Sequence, residues 1–303
     1  MSMQTLALVI ADGVAYAALV FLVSVGLSLV FGLMRILNVA HGSFYALGAY
    51  ATASLVTALL ALKLSPWLSF PAMLLAAVLV GAIAGGLLEA LLLRRIYAKD
   101  EALQLLATFA VFMILENLQR MIWGVQPYAV SDPVQLLGNV EIAGISYTAY
   151  QALVLPAVAL AALIGLRLFL RATLMGRVIL AVTEDRETAT FIGVDAKQTF
   201  FLTFIIGSSL AALGGALAAP TTSIIPGMGA DMIVLSFAVA ATAGLGQIEG
   251  AALTALMIGL GRSLAVYNWP EFEVLMPYLI MVVVLLVRPQ GLFAIPTARR
   301  IQC

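Results

Sequence analysis

The sequence predicts an all-α protein, a polytopic transmembrane helical bundle, and three observations carry that expectation. Hydrophobic residues fill 63% of the 303 positions and charged residues only 10%, against roughly 25% in soluble domains; mean hydropathy is +1.11. Apolar runs recur along the whole chain, and a hydrocarbon core of about 30 Å needs a helix of roughly 20 such residues. No segment alternates polar and apolar over ~10-residue units, as the strands of an outer-membrane barrel would. Residues 1–303 therefore read as a single membrane domain. Net charge is zero and there is no basic arm, so the expected surroundings are lipid and not nucleic acid. Cys303, the lone cysteine, leaves no internal disulfide. No Lys or Arg precedes Arg35, so the basic start of a secretory signal is missing.

Taken in order, the apolar runs place spans at about 7–34, 43–62, 67–93, 103–123, 150–170, 199–219 and 275–287. Residues 67–93 are long for one crossing and are expected to tilt. Residues 231–265 form a further apolar stretch broken by GLGQIEG, residues 244–250, and read as a hairpin of two short helices. The total is about eight spans, with this glycine-broken short-helix pair near the C-terminal end. Small residues at helical spacing, Gly81–Gly85, Gly207–Ala211–Gly215 and Gly214–Ala218, mark close helix contacts. Glu116 and Arg120, four apart, are placed to pair at an interface. Glu89 is expected near Arg94 at the membrane surface, and Asp231 can cap the helix that follows it.

Basic residues set the orientation, because they concentrate on the cytoplasmic side. Most of the 15 Lys and Arg fall in three groups: Arg94, Arg95 and Lys99; Arg167, Arg171, Arg177, Arg186 and Lys197; and Arg288, Arg299 and Arg300. Residues 124–148 contain none. Alternation then puts 124–148 outside, all three basic groups and the C-terminus in the cytoplasm, and the N-terminus outside. Residues 35–43 either cross or re-enter.

One cytoplasmic loop, residues 171–198, concentrates charge in an otherwise apolar chain. Its chemistry is that of a short helix over 183–193. Thr183 can cap it, Glu184, Asp185 and Glu187 suit the positive end of its dipole, and Gly193 stands where a left-handed closing residue belongs. Ala189, Phe191 and Ile192 supply apolar surface. A connector needs only a handful of residues, so a capped helix held between two spans fits a docking element better.

The stretch GRVILAVTEDRETATFIGVDAKQTFFLTFIIGSSLAALGGALAA, residues 176–219, resembles the coupling-loop region of the branched-chain amino acid permease family of ABC importers. The family pattern falls on Gly176, Arg177, Glu184, Asp185, Ala189 and Gly193. GLSLVFGLMRILNVAHGSFYALGAY, residues 26–50, is similar to the family's N-terminal signature, and AGLGQIEGAALTALMIG, residues 243–259, to its late glycine-rich turn. The NVAHG form resembles the LivH-type subunit more than its LivM-type partner. Gln247-Ile248-Glu249 departs from the usual pattern of that turn. The resemblance implies a permease in the bacterial inner membrane that imports branched-chain or related amino acids, or amides. It also implies its partners: a second, LivM-type permease, two cytoplasmic ATPase subunits and an extracytoplasmic substrate-binding protein.

The remaining polar features name a candidate pathway or gate. His41, the only histidine, lies beside Asn38, Gly42 and Ser43; these either satisfy a polar turn or line the path. Gly244, Gly246, Gln247 and Gly250 form a turn that needs glycine for its backbone and for close helix approach. A metal site is not expected, with one His and no internal Cys. No G-x-x-x-x-G-K-[ST] motif occurs, so this chain is not expected to be an enzyme or to bind a cofactor; ATP would be used by partner subunits. The competing class, a secondary transporter or channel acting alone, calls for ionisable residues in the middle of spans and has no use for a docking helix. The orientation is testable by cysteine labelling of a Cys303-free protein in intact cells. An impermeant reagent should label position 135 and leave position 186 untouched; labelling at 186 would reverse the assignment.

Overall fold

The structure, a computed structural model, describes residues 2–293. Arg299, Arg300 and Cys303 lie outside the described residues. The chain forms a helical bundle whose elements, in order, are α1 (Met3–Met34), α2 (His41–Ala61), α3 (Pro66–Ile96), α4 (Glu101–Trp123), a short α5 (Asp132–Leu137), the hairpin β1 (Asn139–Ile142) and β2 (Ile145–Thr148), α6 (Tyr150–Ala172), α7 (Leu174–Glu184), α8 (Arg186–Phe191), α9 (Ala196–Ala218), α10 (Met228–Ala243), α11 (Ile248–Asn268) and α12 (Met276–Val287). Among the described residues, seven helices are long and apolar enough to cross a membrane, and α10 and α12 are shorter apolar helices. The bundle has a hairpin end, with β1 and β2, and a loop end, with α7, α8 and the turn between α10 and α11.

α1 is the central mast. Ser2 caps it by accepting the Thr5 N–H at 3.1 Å, and Arg35 closes it in a left-handed conformation, φ 54°. Its 32 residues span roughly 48 Å, and the stretch from Leu19 to Val30 is entirely buried. α9 and α11 press directly onto it. A Cβ on Gly26 would overlap the Gly207 carbonyl, and one on Gly259 would overlap the Gly13 carbonyl. The small-residue stripes work as the spacing predicts: Gly207 meets α1, Gly215 meets the backbone of Tyr45 on α2, and Gly81 and Gly85 meet Ser209 and Ser208 on α9.

Several details depart from expectation. Only the first half of residues 231–265 is a short helix. α11 runs a full 21 residues, because no breaker interrupts it before Trp269-Pro270. Residues 124–148 are not plain loop: Ala143 and Gly144, both at positive φ (52° and 80°), make the two-residue turn that joins β1 to β2. α3 contains two π-helical turns, Gly81–Gly85 and Glu89–Leu93. Glu89 is not at the protein's surface and makes no ion pair with Arg94. It is fully buried and accepts a hydrogen bond from Tyr97. Asp231 is not a cap; Gly227 holds that place at φ 94°, and Asp231 sits in the first turn. Glu116 and Arg120 do pair.

The hairpin end is pinned by one carboxylate. Tyr147 on β2 donates to Asp12 Oδ1 at 2.6 Å, and Tyr267 on α11 donates to Asp12 Oδ2. Burial, then the bond to Asp12, holds the Tyr147 phenol above its ordinary pKa. Hydrogen bonds to a charged group contribute about 1.5–3 kcal/mol each. Asp12→Ala should therefore release the hairpin, speeding amide exchange over residues 139–148 about tenfold or more while the helices stay protected. Unchanged exchange there would mean that the hairpin is held by other contacts.

Candidate functional site

The first group of predicted residues surrounds a backbone reversal inside the bundle. α1 ends at Met34, and residues 35–40 are not helical. His41 Nε2 lies 3.1 Å from the Val23 carbonyl. Val23 is eleven residues back along α1, roughly 16 Å at 1.5 Å per residue. Residues 35–40 therefore run back along α1, and α2 begins beside the middle of that helix. Free backbone at such depth must be satisfied by protein, and several of its groups are. Asn38 Oδ1 accepts the Ala40 N–H at 3.1 Å, and Thr108 Oγ1 on α4 lies 3.2 Å from the Leu37 carbonyl and 3.4 Å from the Val39 nitrogen.

A carbonyl only accepts, so the contact with Val23 fixes the proton on His41 Nε2 and leaves Nδ1 an acceptor. His41 Nδ1, Asn38 Nδ2 and Ser43 Oγ are buried and have no hydrogen-bond partner among the described residues. The first turn of α2 meets the first turn of α10, where a Cβ on Gly42 would overlap the Gly229 carbonyl. Asn38, His41, Gly42 and Ser43 are thus brought together in a buried joint, closely packed at Gly42.

The glycine turn lies elsewhere, at the loop end. Gly244 and Gly246 take positive φ, 98° and 87°, and a Cβ on Gly246 would sit 3.1 Å from the Gly32 Cα. Gly32 is nine residues from Val23 along α1, roughly 13 Å, so the structure does not join the turn to the His41 group. The C-terminal segment closes over the turn instead. Leu292 and Phe293 donate to the carbonyls of Thr242 and Ala243 at 2.9 and 3.0 Å, and Gly250 leaves space for the Phe293 ring. Gln247 occupies the N-cap of α11 without a side-chain capping bond.

Two charged clusters, one at each end of α11, were not predicted. Glu249 pairs with Arg167 and Arg171 on α6, each at 3.3 Å, and no local pattern links residues so far apart. Arg262 stacks 4.0 Å from the Tyr16 ring centroid and pairs with Glu273. Its signal was present: a single Arg inside an otherwise apolar run.

The third group forms the charged loop. α6 turns into α7 at Thr173, whose hydroxyl accepts the Gly176 N–H at 3.0 Å. A Cβ at Gly176 would overlap the Phe169 carbonyl, so the corner requires glycine. Arg177 is exposed in the first turn of α7. The predicted helix start is off by two residues. Thr183 bonds back to Ile179 within α7, and Asp185, in extended conformation, caps α8 by accepting the Thr188 N–H at 3.1 Å. Thr, Glu and Asp in succession offer adjacent cap candidates, and Asp is the stronger. Glu184 is the exposed last residue of α7.

The C-terminal end of α8 matches expectation. Gly193, φ 94°, donates to Thr190, and Val194 donates to Ala189 at 3.1 Å, the paired bonds of a Schellman closure. Ala189 differs: at 3% exposure it faces the bundle, while Phe191 and Ile192 stand 88% and 76% exposed. The apolar surface at the end of α8 is therefore Phe191 and Ile192, with Ala189 as the anchor behind them.

The sequence is similar to those of known proteins over nearly its full length. The LivH branched-chain amino acid transport permease of Salmonella typhimurium is 26% identical over 296 residues, 96% of each chain. BraD of Pseudomonas aeruginosa, a permease of the same description, is 25% identical over 300 residues, again 96% of each. A solved structure, PsaBC from Streptococcus pneumoniae in complex with Fab, overlays with a TM-score of 0.47 at 14% identity, covering 92% of this chain and 91% of that one. The family described as branched-chain amino acid transport system / permease component matches residues 9–285, and this multi-pass membrane protein belongs to it.

Proposed function

We propose that the chain is the permease subunit of an ABC importer that moves branched-chain or related amino acids, or amides, into the cytoplasm of a bacterial cell. It sits in the inner membrane with the loop end and the C-terminus cytoplasmic. It pairs with a second, LivM-type permease, receives substrate from an extracytoplasmic binding protein, and is driven by two ATPase subunits that use the ATP. The substrate class rests on the relatives, which are named for branched-chain amino acid transport.

The observation that carries the mechanism is α8. Asp185 caps it, the Gly193 closure ends it, Ala189 seats it on the bundle, and Phe191 and Ile192 project from it into solvent. A six-residue helix is far too short to persist alone in water. It is preformed here by its anchors, and two large apolar side chains so exposed fit insertion into a cleft on another protein. Burying such side chains contributes about 1.5–3 kcal/mol each, enough for the pair to decide whether the motor stays attached.

Replacing Phe191 and Ile192 together by Asp should leave the amount of permease in the membrane unchanged, since neither side chain packs within the chain. ATPase co-purifying with the permease should fall about tenfold or more, and leucine uptake with it. Full retention of ATPase and uptake in the double variant would remove α8 as the docking element.

A further inference from the structure

Behind α8 a line of four side chains runs into the membrane-spanning part of the protein. Arg186, the first residue of α8, lays its guanidinium 4.8 Å from the centroid of the Phe200 ring. Phe200, buried in the first turn of α9, meets Tyr97 edge-on at 5.1 Å and 81°. Tyr97, just past the end of α3, donates its hydroxyl to Glu89. Glu89 opens the π turn Glu89–Leu93 and is fully buried, with its other oxygen unpartnered among the described residues. Gln104 on α4 fixes the corner, its amide within 3.2, 3.4 and 2.9 Å of the carbonyls of Ile96, Tyr97 and Lys99.

Packing alone does not call for this arrangement. A buried carboxyl group is costly, and an apolar residue would fill its place at lower cost. A π turn is a local departure from regular helix, of a kind frequent at functional sites. Each link depends on direction as well as distance: a cation over a ring face, a ring edge on a ring, a single hydrogen bond. Moving α8 therefore disturbs the whole line, and its far end is the irregular turn of α3.

We propose that Arg186, Phe200, Tyr97 and Glu89 are positioning residues that carry displacement of α8 into the π turn of α3, linking the ATPase stroke to the transport path. This rests on α8 being the docking element. In it Tyr97 needs its hydroxyl, Arg186 its planar head, and Glu89 only an acceptor for Tyr97.

The test measures leucine uptake and ATP hydrolysis together, with the complete importer in proteoliposomes. Tyr97→Phe and Glu89→Leu should keep the ATPase bound and hydrolysing while leucine moved per ATP falls about fivefold. Arg186→Lys keeps the charge but loses the planar stack and should lower the same ratio. Adding it to Tyr97→Phe should lower the ratio no further, because both break one line. Glu89→Gln, which still accepts from Tyr97, should restore near-normal coupling. The inference is overturned if Tyr97→Phe and Glu89→Leu leave the ratio unchanged with ATPase bound. It is equally overturned if they lower uptake only by releasing the ATPase, or if Glu89→Gln fails as badly as Glu89→Leu. If the unaltered permease never retains an ATPase, the docking role of α8 falls first, and the linkage with it.

Discussion

Backbone-to-backbone contact along α1 sets the geometry of the bundle. Where Gly26 faces Gly207 and Gly13 faces Gly259, the helices approach so closely that not even a methyl group fits between them. In a bilayer no hydrophobic difference drives helices together, because lipid tails are as apolar as leucine side chains, so association depends on contact. Close approach of α9 and α11 to α1 brings the other helices into register. It places Gly246 against Gly32 at the loop end and leaves Asp12 within reach of Tyr147 and Tyr267 at the other end.

The class of fold was legible because the signal is massive and one-dimensional. Apolar runs of bilayer length survive any error at their ends. What sequence reading missed is local or long-range. The π turns of α3 have no periodic signature, since Gly81–Gly85 looks like an ordinary small-residue stripe until Ser208 and Ser209 are seen against it. The hairpin of residues 139–148 hid in a segment read only for its lack of Lys and Arg, although Gly144 between Ala143 and Ile145 carried a weak turn signal. Glu89 was misplaced because proximity in sequence to Arg94 says nothing about which way a helix faces. The π turn points it inward, toward Tyr97.

The candidate site divides along the same line. Residue types with a backbone role were readable: Gly193 closes α8, and Gly244 and Gly246 turn the chain; Gly176 entered only through the family resemblance, and the structure shows that it makes room for a corner. Residues whose role depends on burial were not. Ala189 looked like part of an outward apolar surface and is an inward anchor, so the exposed pair is Phe191 and Ile192 alone. Asn38, His41, Gly42 and Ser43 lie together, while the glycine turn named with them as one candidate pathway lies at another level of α1. The contact between His41 and Val23 alone reveals that residues 35–40 run back into the bundle.

That reversal constrains how the chain is made. Residues 35–40 have exposed peptide groups whose partners include Thr108, a residue synthesised some seventy positions later. α2 is poorly suited to settle as an independent span on leaving the ribosome, since its first turn begins beside the middle of α1 next to backbone that needs partners. The stretch has to remain in the insertion machinery, or against water, until α4 arrives to cover it. Biogenesis of this protein is therefore not a simple succession of helices entering the lipid one by one. The first joint of the molecule is completed only when α4 and then α10 are in place.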